Sequence, residues 1–195
     1  VLPSLSPKTA IAGTVLFPEG SQPQTITETL TQQPASQTAK PSFDCAKARG
    51  AVETLICKDN ELANLDRYLS GVYQVALKKA GEFPPNDLAN FKAEEIGWVK
   101  GRNDCWKAQG TTVRDCVKQN YLDRTAELQA AFALVPNQKP VFFACNNNPV
   151  NEIVATFYAT NPPTARLERG DTVITAFLRP SGSGSKYEGQ NASFW

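Results

Sequence analysis

The sequence contains no histidine and no methionine, and it carries five cysteines, Cys45, Cys57, Cys105, Cys116 and Cys145. Without histidine, the side chain behind most general bases, catalytic triads and zinc sites is missing. Carboxylates remain, and Glu94, Glu95 or Asp104 could supply a pair for glycoside chemistry. Helix faces are ordinarily charged, so the expectation is no enzyme, no cofactor and no metal site. None of the cysteines forms C-x-x-C, which removes zinc-ribbon and thioredoxin readings. Four of them fall into local pairs, Cys45 with Cys57 and Cys105 with Cys116, twelve and eleven residues apart. That spacing suits two short disulfide loops and an oxidising compartment such as a bacterial periplasm. Five reduced, buried thiols is the competing reading. Cys145 is left unpaired in this chain, either free or joined to a partner outside it.

The other stretch that could act on a partner is SGSGSKYEGQNASFW, residues 181–195. Its Ser and Gly residues tolerate the backbone angles of a polar hairpin turn. Its last two residues, Phe194 and Trp195, are too apolar for a spacer.

These residues need a scaffold, and composition bounds it. The chain has 195 residues, 41% of them hydrophobic, with 20 basic and 19 acidic side chains. No basic stripe stands out, so phosphate-led binding of nucleic acid is not expected. No apolar run approaches the roughly 20 residues that cross a bilayer. With no methionine at position 1, Val1 is expected to follow a removed signal, tag or upstream region.

Residues 1–41 read as a flexible tether rich in Pro, Ser, Thr and Gln, with one strand-length apolar stretch at Thr9–Phe17. Residues 42–135 read as helical. Ser42 and Asp44 are candidate caps for a short helix from Ala46 to Cys57, and Asp59 for the next. Leu62, Leu65, Leu69, Val72, Tyr73, Ala76 and Ala80 recur at intervals of three and four. Gly81, Pro84 and Pro85 stop that helix. A third helix runs from about Asp87 to Lys107. Thr112 and Asp115 make a capping-box-like start for a fourth, ending near Leu134. Asp66, Arg102 and Arg124 sit near the apolar stripes and are expected in an internal ion pair or on the surface. Trp98 and Trp106 are expected at the core and rim. Residues 140–195 read as β: PVFFACN, EIVATFY, ARLE, DTVITAFLR and one more strand from KYEGQNASFW. The fold class is therefore α+β with two domains, a small disulfide-stapled helical bundle followed by a small antiparallel β-barrel or sheet. Four or five strands do not close a barrel comfortably, so the β domain is expected to be incomplete at its C-terminus.

Two resemblances attach to these halves. Residues 42–130 resemble the N-terminal domain of LprI-type lysozyme inhibitors through FDCAKARGAVETLIC, LANLDRYLSGVY, GWVKGRNDC and the C-x4-Y-x2-R-x3-L pattern from Cys116 to Leu128. Residues 142–195 resemble the membrane-bound inhibitors of C-type lysozyme, the MliC family. The matching pieces are FAC at 143–145, VATFY at 154–158, ARLERGD at 165–171 and SGSGSKY at 181–187, followed by FW. The family loop commonly reads S-A-S-G-A-R-Y. Ser181, Ser183, Gly184 and Tyr187 match it, and Lys186 stands at the Arg position.

The resemblance implies a small antiparallel barrel of the bacterial envelope whose loop enters the lysozyme cleft. The implied lysozyme-binding residues are Ser181, Ser183, Gly184, Lys186 and Tyr187, with the Ser183 hydroxyl donating to a catalytic carboxylate. A second motif, W-x-K-G-x-E-A, would supply a lysine, and Trp195 would be its first residue. Lys186 is not its substitute. The same resemblance implies a later cysteine as the partner of Cys145. The partner is then a C-type lysozyme and the location periplasmic or envelope-associated. The competing reading is a non-enzymatic binding module whose helical half recognises peptidoglycan or another envelope protein.

Overall fold

The computed structural model describes residues 39–144 and 152–195. Residues 1–38, which hold most of the expected tether, and Cys145 lie outside the described residues.

Among the described residues, four α-helices precede the strands. A 3-10 turn, Cys45–Lys47, precedes α1, Ala51–Lys58. The expected single helix from Ala46 is thus broken at Ala48–Gly50. Gly50 takes an extended backbone, and Glu53 reaches back to accept from the backbone N–H groups of Arg49 and Gly50 at 2.9 and 3.2 Å. Those two bonds, together with Asp44 capping the 3-10 turn, satisfy the helix start locally. They also hold the Glu53 carboxyl below its ordinary range. Ser42 is no cap; its backbone N–H donates to Asp66 at 2.5 Å.

Asp59 caps α2, Asn60–Ala80, by accepting from Glu61 and Leu62. Its free oxygen takes Arg114 of the fourth helix at 2.6 Å, and this charge-assisted bond lowers its pKa. Helix α3, Pro85–Asn103, starts with proline at its first position, where no N–H is needed. It ends earlier than expected, and Asp104–Lys107 tightens into a 3-10 turn. Thr112 caps α4, Val113–Ala131, as the capping-box pattern predicts. The core is formed by Val52, Ile56, Leu62, Leu69, Val117, Tyr121 and Leu128, all at most 3% exposed. Disulfides Cys45–Cys57 and Cys105–Cys116 staple the bundle.

Six strands follow: β1 Val141–Ala144, β2 Glu152–Tyr158, β3 Thr164–Arg169, β4 Thr172–Arg179, β5 Lys186–Gly189 and β6 Ala192–Phe194. They pair antiparallel in chain order as a curled half-barrel sheet. Register places Phe143, Ala155, Phe157, Ala165, Leu167, Ile174, Ala176, Leu178, Tyr187 and Phe194 on one face. The curl brings Phe143 of β1 to 5.1 Å from Phe194 of β6. Helix α4 lies against β3 and β4 on the other face, which carries Thr156, Thr164, Phe177 and Arg179. Arg179 crosses to Asp123 of α4 at 2.6 Å.

KYEGQNASFW is a hairpin, not one strand. Asn191 turns the chain at φ +55°, a left-handed conformation that asparagine tolerates better than most residues. Gly189 is required just before it. A Cβ there would sit 2.7 Å from the Ile174 side chain and 2.9 Å from the Thr175 carbonyl oxygen.

Candidate functional site

The loop Pro180–Ser185 joins β4 to β5, and its ends are set by the Arg179–Lys186 pairing. Arg179 and Lys186 are like charges directly opposite, which is unfavourable alone. Each is neutralised separately. Arg179 binds Asp123, and Lys186 binds Glu188 two residues on at 2.5 Å. The Lys186 ammonium holds the Glu188 carboxyl below its ordinary range.

Inside the loop, the Ser181 hydroxyl donates to the carbonyls of Gly184 and Ser183 at 2.8 and 3.1 Å. The Trp195 indole N–H donates to the same Ser183 carbonyl at 2.9 Å. Gly184 makes the bend at φ +66°, where a side chain would be strained. Its missing Cβ leaves room for the indole, whose nitrogen lies 3.4 Å from that point. The backbone at the tip is therefore fixed from two sides. The Ser183 hydroxyl is exposed and bonds to none of the described residues.

The five residues singled out by sequence thus divide by position. Ser183 is presented at the tip. Ser181 and Gly184 shape the turn beneath it. Lys186 begins β5, half-buried and paired. Tyr187 points to the apolar face, with its ring 5.5 Å from Phe157, and burial raises its phenol pKa. Trp195 acts here as a strut on the loop, a role its place in a motif did not reveal. Trp195→Phe, which keeps a ring but removes the N–H, is expected to lower the NMR order parameters of Ser183 and Gly184. The unfolding free energy should fall by no more than about 1 kcal/mol, because the lost bond is exposed.

Two of the three carboxylates considered for catalysis are ion-paired. Glu95 binds Arg124 at 2.9 Å, Asp104 binds Lys107 at 2.9 Å, and Glu94 is exposed on α3. Among the described residues, no cluster of Cys, Asp and Glu could hold a metal ion. No described helix is long and apolar enough to cross a membrane. Asp66, Arg102 and Tyr121 form one buried network. Tyr121 donates to Asp66 at 2.8 Å and accepts from Arg102 at 2.7 Å. Burial keeps the phenol protonated by raising its pKa. Arg102 also lies over the rings of Trp98 and Tyr121. Trp106 is 62% exposed at the rim.

A stapled helical bundle followed by a half-barrel with a braced loop defines a class, and sequence comparison names it: proteinaceous lysozyme inhibitors. Residues 45–128 match the family described as lysozyme inhibitor LprI. Residues 143–195 match the family described as membrane-bound lysozyme-inhibitor of c-type lysozyme. The chain is 34% identical over 162 residues to Lipoprotein LprI of Mycobacterium tuberculosis (strain ATCC 25618 / H37Rv), spanning 82% of this chain and 77% of the relative. Lipoprotein LprI of Mycobacterium bovis (strain ATCC BAA-935 / AF2122/97) gives the same figures. The chain belongs to the LprI family of lysozyme inhibitors. No solved structure matches it.

Proposed function

We propose that this protein inhibits a C-type lysozyme by placing the Pro180–Ser185 loop in the enzyme's active-site cleft. The observation that carries this reading is the Ser183 tip, whose carbonyl is held by Ser181 and Trp195 while its hydroxyl is left to a partner. A hydroxyl can donate to an ionised carboxylate, and C-type lysozymes cleave with a pair of carboxyl groups. One donor on the ionised carboxylate, in a cleft whose sugar subsites the loop fills, blocks both binding and chemistry. Ser181, Gly184, Lys186 and Tyr187 position that tip. The chain itself supplies no catalysis. Both families are inhibitors, and the relatives are lipoproteins by name, which supports a place in the bacterial envelope.

The test is lysis of cell walls by hen-type lysozyme with the protein in molar excess. Inhibition should be stoichiometric, and Ser183→Ala should weaken it by roughly 1–3 kcal/mol, or 5- to 150-fold. Unchanged lysis at large excess defeats the proposal. The near balance of charge, 20 basic against 19 acidic residues, gives little long-range steering toward a basic enzyme. The association rate should therefore change less than about tenfold between 20 and 200 mM salt, read by stopped flow.

A further inference from the structure

A cavity of about 430 Å³ opens in the helical half, within the range of small-molecule sites. Helix α2 lines it with Asp66, Leu69, Ser70 and Tyr73. Helix α3 lines it with Glu95, Trp98, Val99 and Arg102. Both sets run i, i+3, i+4, i+7, so each helix turns one whole stripe toward the space. The segment around Phe43, Asp44 and Lys47 closes one side, with Glu53 beside it. None of the lining belongs to the sheet, so the cavity is separate from the loop site and the inference does not rest on lysozyme binding.

Its chemistry selects the guest. Phe43, Tyr73 and Trp98 supply aromatic wall. Four carboxylates, of Asp44, Glu53, Asp66 and Glu95, oppose an anion. Lys47 and Arg102, the latter 4% exposed, oppose a cation. Yet both kinds of group keep hydrogen-bonding capacity. Arg102 gives three of its five N–H groups, one to Tyr121 at 2.7 Å and two to Asn103 at 3.2 and 2.9 Å. Its 3.7 Å contact with Asp66 is too long for a hydrogen bond. Glu95 takes both Arg124 bonds on one oxygen, at 3.0 and 2.9 Å, and its other oxygen accepts from none of the described residues. The cavity thus offers spare donors, spare acceptors and ring faces, with both charge signs discouraged.

We propose that this cavity binds a neutral saccharide unit, an N-acetylated amino sugar. A pyranose has an apolar C–H face for the aromatic wall and hydroxyls that both donate and accept. Its acetamido group carries one carbonyl acceptor and one N–H donor, complementary to an arginine and a carboxylate lining one space. The helical half is then a glycan-binding module in its own right.

The test is an NMR titration of the ¹⁵N-labelled full chain with N-acetylglucosamine. Saturable shifts at the Trp98 indole and the backbone of Ser70 are expected, half-complete at roughly millimolar sugar. Glucose, which lacks the acetamido group, should bind at least tenfold more weakly, as should argininamide and acetate. Ser70→Phe, which fills the cavity from α2, should weaken binding at least tenfold and leave lysozyme inhibition unchanged. If its spectrum shows that it does not fold, Ala48→Leu from another wall takes its place. The proposal is overturned by absent saturation, by tighter binding of either charged probe, by equal binding of glucose, or by a filled cavity that binds as before.

Discussion

Asp66→Ala is expected to remove about 3–5 kcal/mol of stability. Asp66 is 6% exposed and serves three partners. It accepts from Tyr121 and from the Ser42 backbone, and it is the counter-charge of Arg102. Without it, Arg102 stays buried among Trp98, Tyr121 and Asn103 with no carboxylate in direct contact, the Glu53 carboxylate reaching it only through Asn103. An unpaired buried charge costs more than the pair ever contributed, so the damage exceeds the value of the bonds lost. A domain holds only about 5–15 kcal/mol in total. Chemical denaturation followed by circular dichroism should show the midpoint fall by roughly a fifth or more. Asp66→Asn, which retains an acceptor, should cost less. Equal effects of the two would show that the charge is irrelevant.

Reduction of the disulfides is expected to have a comparable effect by another route. The loops close 12 and 11 residues. Loop-closure entropy assigns roughly 3 kcal/mol to each through restriction of the unfolded chain. A helical core of this size is marginal without such staples. Cys45 is exposed and Cys105 is 3% exposed, so mild reductant should open Cys45–Cys57 first. Thiol labelling with mass spectrometry during unfolding would order them. A fully reduced chain with an unshifted midpoint would show that packing alone suffices.

The helices were legible because apolar residues recur at intervals of three and four and because Asp59 and Thr112 are strong caps. The break before α1 was not. It depends on Glu53 bonding backward to Arg49 and Gly50, which the apolar pattern does not encode. The strands are legible by composition, but the same composition makes KYEGQNASFW look like one strand, although Asn191 marks its turn. The packing of α4 on the sheet is not legible in the sequence, because threonines and charged residues are interleaved with Tyr158 and Phe177 on that face. The loop could be picked out only through its resemblance to a family. Its internal bonds are tertiary, joining Ser183 to a tryptophan twelve positions away, and no local signal announces such a contact.

That bracing carries a thermodynamic consequence. Fixing a flexible residue costs roughly 1–2 kcal/mol in backbone entropy, so ordering a slack six-residue loop on contact would consume most of an ordinary binding energy. In the proposed mode of inhibition, Pro180–Ser185 would meet its partner already ordered by the β4–β5 pairing, the Ser181 hydroxyl and the Trp195 indole. The entropy was surrendered when the chain folded, and the contact that follows is free to appear as affinity.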